Sequence, residues 1–492
     1  MYQMEKFIFS KSFMLKKSDI RTLALSKRFQ IGVLLVVAAL LRFWQFEYIP
    51  FQSDGDELAY VFAGQSLLET GVPSSWSSFS YPEQYSLGKI SLGDEKFYAN
   101  GDFEFVRPWL DHPPLLAIIS GAWVKLFGYS FPSIPPSMVV RFPTVILSIF
   151  TLFLTYCVAK KEFGHKAGIL SISLLALSPS IIFAQRMLVG ENWVIPLLLL
   201  AILSLQYKKN IAIPIILAIL VALIKVTGLL LIPVMFIGLF QERKYYRAAI
   251  FAVISTLLFV IVYSAYGFSI NWNQFTELLS IQSHRLLGWG NFAFLLSHPG
   301  FHTIPILDAS YYLIAIIGMF GMTLDSLKEK TQRYGFITLS SIFSLFLIWV
   351  TSAEQDMLGW YKLPLFIFLG ILAGRGLEKL LEKKNTLLLA SLLVAAVSIS
   401  NFALIKYPEH PFPEAQNMRL VLGILLALFA ILYSFQGQIK KKIINYFFFL
   451  AMIFFVGSTA YVIENYYPSL CKDRHCPVPL VTSAGWLRSL AE

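Results

Sequence analysis

Residues 31–57 read IGVLLVVAALLRFWQFEYIPFQSDGDE. A long apolar segment runs from about Ile31 to Phe46, and Asp54-Gly55-Asp56-Glu57 follows within one short turn. Adjacent carboxylates at a bilayer surface repel each other and must be solvated, paired or put to work. A third acid, Glu191, opens a later apolar segment, where an ionised group costs about 2.5–3.5 kcal/mol if it goes deep. Both features predict a membrane protein whose acids serve a purpose.

Composition agrees with that class. Of 492 residues 57% are hydrophobic and 14% charged, with 43 Phe, and the mean hydropathy is +0.65. A soluble globule carries about 25% charged residues. The expected fold is an all-α polytopic bundle, because helices satisfy their own backbone polar groups in lipid. The net charge of +11 invites a nucleic-acid reading, but the basic residues sit in short loops between apolar segments, such as Lys160-Lys161, Lys208-Lys209 and Lys440-Lys441-Lys442. Loops of that kind mark the cytoplasmic face. No nucleic-acid partner is expected.

Thirteen spans are expected, at about 30–48, 139–159, 167–184, 191–207, 211–223, 228–240, 248–266, 309–324, 335–351, 363–380, 386–404, 417–435 and 443–463. A further apolar stretch, Pro113 to Phe127, decides the parity. If it crosses, most Lys and Arg move to the side opposite the N-terminus, against the positive-inside tendency. It is also short, opens with Pro113-Pro114 and contains Lys125, so it reads as a surface helix. The expected organisation is a basic cytoplasmic tail (1–29), a catalytic membrane module (30–266) with an extracytoplasmic loop at 49–138, a second loop (267–308), C-terminal spans (309–463) and a short outer tail (464–492). The first apolar stretch is too long for a signal sequence and lacks a small-residue cleavage pattern, so it reads as an uncleaved anchor. Asp56, Glu57, Glu191, Arg141, Arg186, Lys225, Tyr361 and Lys362 all fall on the extracytoplasmic side of this topology. Cys471 and Cys476 in the outer tail are spaced to close a disulfide loop; metal binding with His475 lacks a full ligand set.

The region from Leu41 to Leu200 resembles the C-type glycosyltransferases that use polyprenyl-phosphate sugars, in particular the protein O-mannosyltransferase and lipid A aminoarabinose transferase group. The likeness is carried in order by Asp56-Glu57 with Ala59-Tyr60, Gly71, His112-Pro113-Pro114-Leu115, Leu126-Phe127-Gly128, Arg141-Phe142-Pro143, and Arg186 followed five residues later by Glu191. Lys225 before Gly228 and Tyr361-Lys362-Leu363-Pro364 extend it. The resemblance implies an inverting transferase working at the extracytoplasmic face of a bacterial or archaeal plasma membrane. It implies a polyprenyl-phosphate sugar as donor and a lipid, glycan or protein as acceptor. Asp56 maps onto the family's catalytic carboxylate, with Glu57 supporting the catalytic site and Glu191, where relatives carry Asp, contributing a second acidic contact to it. His112 stands at a substrate-binding position. Lys225, Tyr361 and Lys362, helped by Arg141 and Arg186, would hold the lipid phosphate; Arg285 and His302 are further candidates in loop 267–308. The motifs name no cofactor and leave a divalent metal open.

Plainer readings stand beside these. Ser53 or Asp54 with Asp56 or Glu57 looks like a capping box, and Glu191 could cap its own helix. Arg141, Arg186 and Lys225 could snorkel to membrane lipid, while Trp360 and Tyr361 suit the aromatic belt. The alternative function is a transporter or lipid flippase, which also needs intramembrane acids and bases. No internal symmetry supports it, and loop 49–138 suits a catalytic mouth.

Overall fold

The structure, a computed structural model, describes residues 26–47, 49–50, 56–77, 79, 81–92, 101–207, 210–284, 292, 295–296, 308–328, 335–351 and 359–383, with 423, 424, 427, 430, 446, 450, 453 and 456–466. Most of the last three expected spans, Arg285, His302, Cys471, His475 and Cys476 lie outside the described residues.

Helix α1 (Lys27–Phe43) starts on Ser26, whose hydroxyl accepts from the Phe29 amide at 3.2 Å. Helix α2 (Asp56–Thr70) carries both acids in its first turn, where the helix dipole favours negative charge. The chain then enters a three-stranded antiparallel sheet of β1 (Ser75–Trp76), β2 (Ser86–Leu92) and β3 (Gly101–Val106), ordered β1-β3-β2. This sheet corrects the all-helical expectation. Its signal was the alternation Asp102-Phe103-Glu104-Phe105-Val106, which suits a half-buried strand. Phe105 is fully buried and meets Phe62 of α2 at 5.2 Å between ring centroids.

Helix α3 (Pro114–Lys125) begins with proline at its first turn, a position where the missing amide costs nothing. Its 12 residues reach about 18 Å, short of a hydrocarbon core of about 30 Å. It packs on α2 with backbones in contact. A Cβ on Gly64 would lie 1.8 Å from the Ala117 carbonyl oxygen, and one on Gly121 would lie 2.2 Å from the Gly64 carbonyl carbon.

The bundle continues with α4 (Ser137–Phe163), α5 (His165–Leu177), α6 (Pro179–Arg186), α7 (Gly190–Gln206), α8 (Ala212–Ile224), a 3₁₀ turn (Val226–Leu230), α9 (Leu231–Gln241), α10 (Tyr245–Ile270) and α11 (Trp272–Ser283). It goes on with α12 (Ala309–Lys328), α13 (Gly335–Thr351), a 3₁₀ turn (Gly359–Lys362), α14 (Leu363–Lys383) and, later in the chain, a π-helical turn (Val462–Tyr466). Among the described residues α4 and α10 are by themselves long and apolar enough to span. The span expected at 167–184 is instead two helices, α5 and α6, bent by 74°. Pro179 opens α6, and Asp308 fixes the break: one carboxylate oxygen accepts from Ser178 Oγ (2.6 Å) and the Ser180 amide (2.9 Å). The other accepts from Ser310 Oγ (2.6 Å) and the Tyr311 amide (3.0 Å), so one side chain caps both α6 and α12. The segment expected as loop 267–308 contains α11, which Asn271 caps through the Gln274 amide.

Candidate active site

An α-helix turns about 100° per residue, so neighbours Asp56 and Glu57 diverge. Asp56 is half-buried at the start of α2, while Glu57 is 2% exposed and points inward. Arg141 of α4 meets Glu57 with Nη2 at 2.7 Å and Nε at 3.1 Å from each carboxylate oxygen. Glu57 also accepts the Leu188 amide at 2.8 Å, and Arg141 Nη1 donates to the Phe46 carbonyl at 3.1 Å. Both carboxylate oxygens of Glu57 are thereby fixed, and four stretches of chain meet at this ion pair.

Tyr60 lies one turn beyond Asp56 and is buried. Its ring stacks on half-buried His112 at 5.2 Å and meets Trp109 edge-on at 5.9 Å. Burial pushes the Tyr60 phenol well above its ordinary range, and Asp56, Glu191, Tyr361 and Asp111 push it further in that order. These groups act on one phenol because the fold gathers them around it, although they span three hundred residues of sequence. Glu191, at the start of α7, makes a 2.7 Å ion pair with Lys225 Nζ, their side chains 1% and 9% exposed. Lys225 sits in extended backbone between α8 and its 3₁₀ turn, and its ammonium lies 4.3 Å from the Tyr361 ring centroid. That arrangement adds a cation–π attraction to the ion pair. Next to Tyr361, burial lowers the Lys362 ammonium to about 7.

No protein-family model and no curated protein matches this sequence. Solved structures do. Over 89% of this chain and 75% of its own, ArnT from Cupriavidus metallidurans, a lipid A aminoarabinose transferase crystallised with undecaprenyl phosphate, superposes with a TM-score of 0.52 at 14% identity. The fold is that of the C-type glycosyltransferases. The oligosaccharyltransferase AglB from Archaeoglobus fulgidus, solved with an inhibitory peptide and a dolichol-phosphate, is also similar (TM-score 0.47, 14% identity), and this chain covers 92% of itself and 58% of that protein.

Within this C-type glycosyltransferase fold the two candidate arginines are engaged by the protein itself. Arg141, 1% exposed, is held on Glu57 and Phe46. Arg186, fully buried, donates Nη1 to the Ile49 carbonyl (2.8 Å) and Nη2 to the carbonyls of Leu41 and Trp44 (2.6 Å each). It thus covers the carbonyls at the end of α1, which have no partner inside the helix. Arg42 does similar work in reverse, reaching the carbonyls of Leu175 and Ala176 and the Gln185 amide oxygen. His112 thus stacks on Tyr60, Glu191 and Tyr361 meet at Lys225, and Arg141 and Arg186 are taken up by Glu57 and by backbone carbonyls.

Sequence reading missed Tyr60 as the hub, and it missed Asp111. Asp111 accepts from Ser77 Oγ and the Tyr81 hydroxyl, each at 2.6 Å, and its carbonyl receives the Gln282 amide at 2.9 Å. Its position next to His112 was the available signal. Among the described residues no three His, Cys, Asp or Glu side chains gather as metal ligands. Beside the Glu57–Arg141 pair lies an apolar cavity of about 360 Å³ whose wall includes Trp123, Val140, Pro143, Leu188 and Trp193.

Proposed function

We propose that this integral membrane protein is an inverting glycosyltransferase. It moves a sugar from a polyprenyl-phosphate donor to an acceptor hydroxyl at the extracytoplasmic face. The observation that carries the reading is the buried Glu191–Lys225–Tyr361 cluster together with the Tyr60–His112 stack one helical turn from Asp56. Acid and cation are what this displacement needs on opposite sides of the anomeric carbon.

Asp56 takes the acceptor's proton as the acceptor oxygen bonds to the anomeric carbon. The bond from that carbon to the phosphate oxygen breaks, and its electron pair leaves with the phosphate. General base catalysis of this kind contributes about 10²–10⁴-fold. Charge grows on the departing phosphate, so cations already fixed there stabilise the transition state more than the ground state. Lys225 and Lys362 supply those cations, and the Tyr361 hydroxyl adds a hydrogen-bond donor. His112, stacked on Tyr60, borders the sugar position. Glu57 holds the first turn of α2 through Arg141 and so aims Asp56, while Arg141 and Arg186 brace the site without touching phosphate. The isoprenoid chain stays in lipid, and the apolar cavity behind Leu188 offers it hydrocarbon contact. The undecaprenyl phosphate bound in the ArnT structure, the lipid phosphate that such a donor leaves behind, supports this division.

The test is transfer by purified protein from a panel of polyprenyl-phosphate sugars. Asp56→Asn should keep wild-type thermal stability and lose at least about 10²-fold in kcat. Turnover near wild type in that variant rules out Asp56 as the base.

A transporter or lipid flippase gains one observation, the 74° break between α5 and α6, since broken helices line transport sites. At this break, however, Asp308 already satisfies Ser178 Oγ and the Ser180 amide, which leaves those donors none to offer a substrate. Lipid translocation in proteoliposomes without any sugar transfer would favour that reading.

A further inference from the structure

The two buried acid–base pairs of the site are built differently. Glu57 is locked by a guanidinium fork and a backbone amide. Glu191 is not. Among the described residues Lys225 Nζ is the one partner of its carboxylate, and neither oxygen accepts a further hydrogen bond of good geometry. A lysine is a compact charge on a flexible stem and can be turned elsewhere, whereas an arginine fork fixes its partner. Gly190 clears the path of that stem: a Cβ there would come within 2.7 Å of Lys225 Cδ and 2.9 Å of its Cβ.

The phosphate changes charge during the proposed reaction. In the donor it is a diester with one negative charge. After the anomeric bond breaks it is a monoester, carrying about −1.5 to −2 at pH 7. A lysine without a resident counter-ion would hold that product more tightly than the donor and slow its release. We infer that Glu191 is a displaceable counter-ion for Lys225: the donor phosphate takes its place on the ammonium, and its return drives the product phosphate out. Glu191 then acts through Lys225, as a positioning residue that sets the affinity of the phosphate site. This rests on Lys225 belonging to the phosphate site, as proposed above.

The experiment uses the full chain in nanodiscs, with undecaprenyl phosphate as the probe and as an inhibitor of transfer. Lys225→Met should weaken binding of the probe. Glu191→Gln should tighten it by about tenfold, because a competing charge is gone, and should lower KM for donor and kcat together. The effect should vanish when Glu191→Gln is made in the Lys225→Met background, as for residues that act as a pair. If probe binding requires Lys225 yet fails to tighten in Glu191→Gln, the counter-ion role is overturned and the phosphate site stands. If Lys225→Met leaves probe binding unchanged, the phosphate-site reading itself falls. Should Glu191→Gln not fold, Glu191→Asp carries the test. Its shorter side chain loosens the ion pair, so binding must still tighten, and equal or weaker binding overturns the inference.

Discussion

Replacing Arg141 separates a brace from a phosphate ligand. Arg141→Met removes three guanidinium contacts of 2.7–3.1 Å from Glu57 and one from the Phe46 carbonyl. The carboxylate left behind is 2% exposed and keeps the Leu188 amide as its remaining hydrogen bond. Breaking a buried pair by removing one partner costs about 3–5 kcal/mol, chiefly because a charge stays buried without compensation. Adding Glu57→Gln removes that charge while keeping an acceptor for the Leu188 amide. The double variant should therefore regain about 1–3 kcal/mol relative to the sum of the single changes, in the range measured for contacting residues. The assay is a double-mutant cycle on thermal stability of the detergent-solubilised protein, with donor binding measured at a temperature where all variants stay folded. Arg141→Met should unfold well below wild type, with the double variant between them, while donor affinity at the permissive temperature changes less than about threefold. Unchanged stability together with a large loss of donor affinity would refute the brace and put Arg141 on the phosphate.

Other outcomes follow from the same geometry. Gly64→Ala forces a methyl group to within 1.8 Å of the Ala117 carbonyl oxygen; overpacking costs about 1–3 kcal/mol, so the thermal midpoint should fall, and an unchanged midpoint would show that α2 and α3 can separate freely. Asp308→Ala strips the caps from α6 and α12, each worth about 0.5–2 kcal/mol, and should destabilise the protein more than Asp308→Asn, measured by the same melting assay. Burial sets the Lys362 ammonium at about 7, so it is charged below that pH and neutral above it. Anion binding favours the charged form. Undecaprenyl phosphate itself gains its second charge only above a pKa of about 6, so its affinity should peak near pH 6–7 and fall by up to about tenfold per unit above that, and Lys362→Arg, whose guanidinium stays charged, should remove the fall. A wild-type profile that stays flat from pH 6 to 9 removes Lys362 from the phosphate site.

The amino-acid sequence by itself determined the class of the molecule and nominated the candidates for its site. Hydropathy is a sum over residues, so a chain with 57% hydrophobic residues declares a helical membrane protein before any contact is known. The ordered motifs around Asp56, His112, Glu191, Lys225 and Tyr361 marked those residues because each type is costly or unusual where it stands. Local chemistry also announced one helix end, Pro113-Pro114 at the start of α3. Tertiary structure decided what the residues do to one another. In sequence Asp56 and Glu57 are equivalent neighbours; the 100° turn of a helix leaves one half-buried and sends the other to Arg141. Arg141, Arg186 and Lys225 looked alike as cations near span ends, yet the fold gives the first two to Glu57 and to backbone carbonyls and leaves the third on a single carboxylate. The break at Pro179 was hidden because Asp308, which stabilises it, lies 128 residues away from Ser180. Charge and hydropathy belong to a residue and can be read along the chain, whereas pairing depends on distances that only the packed helices fix.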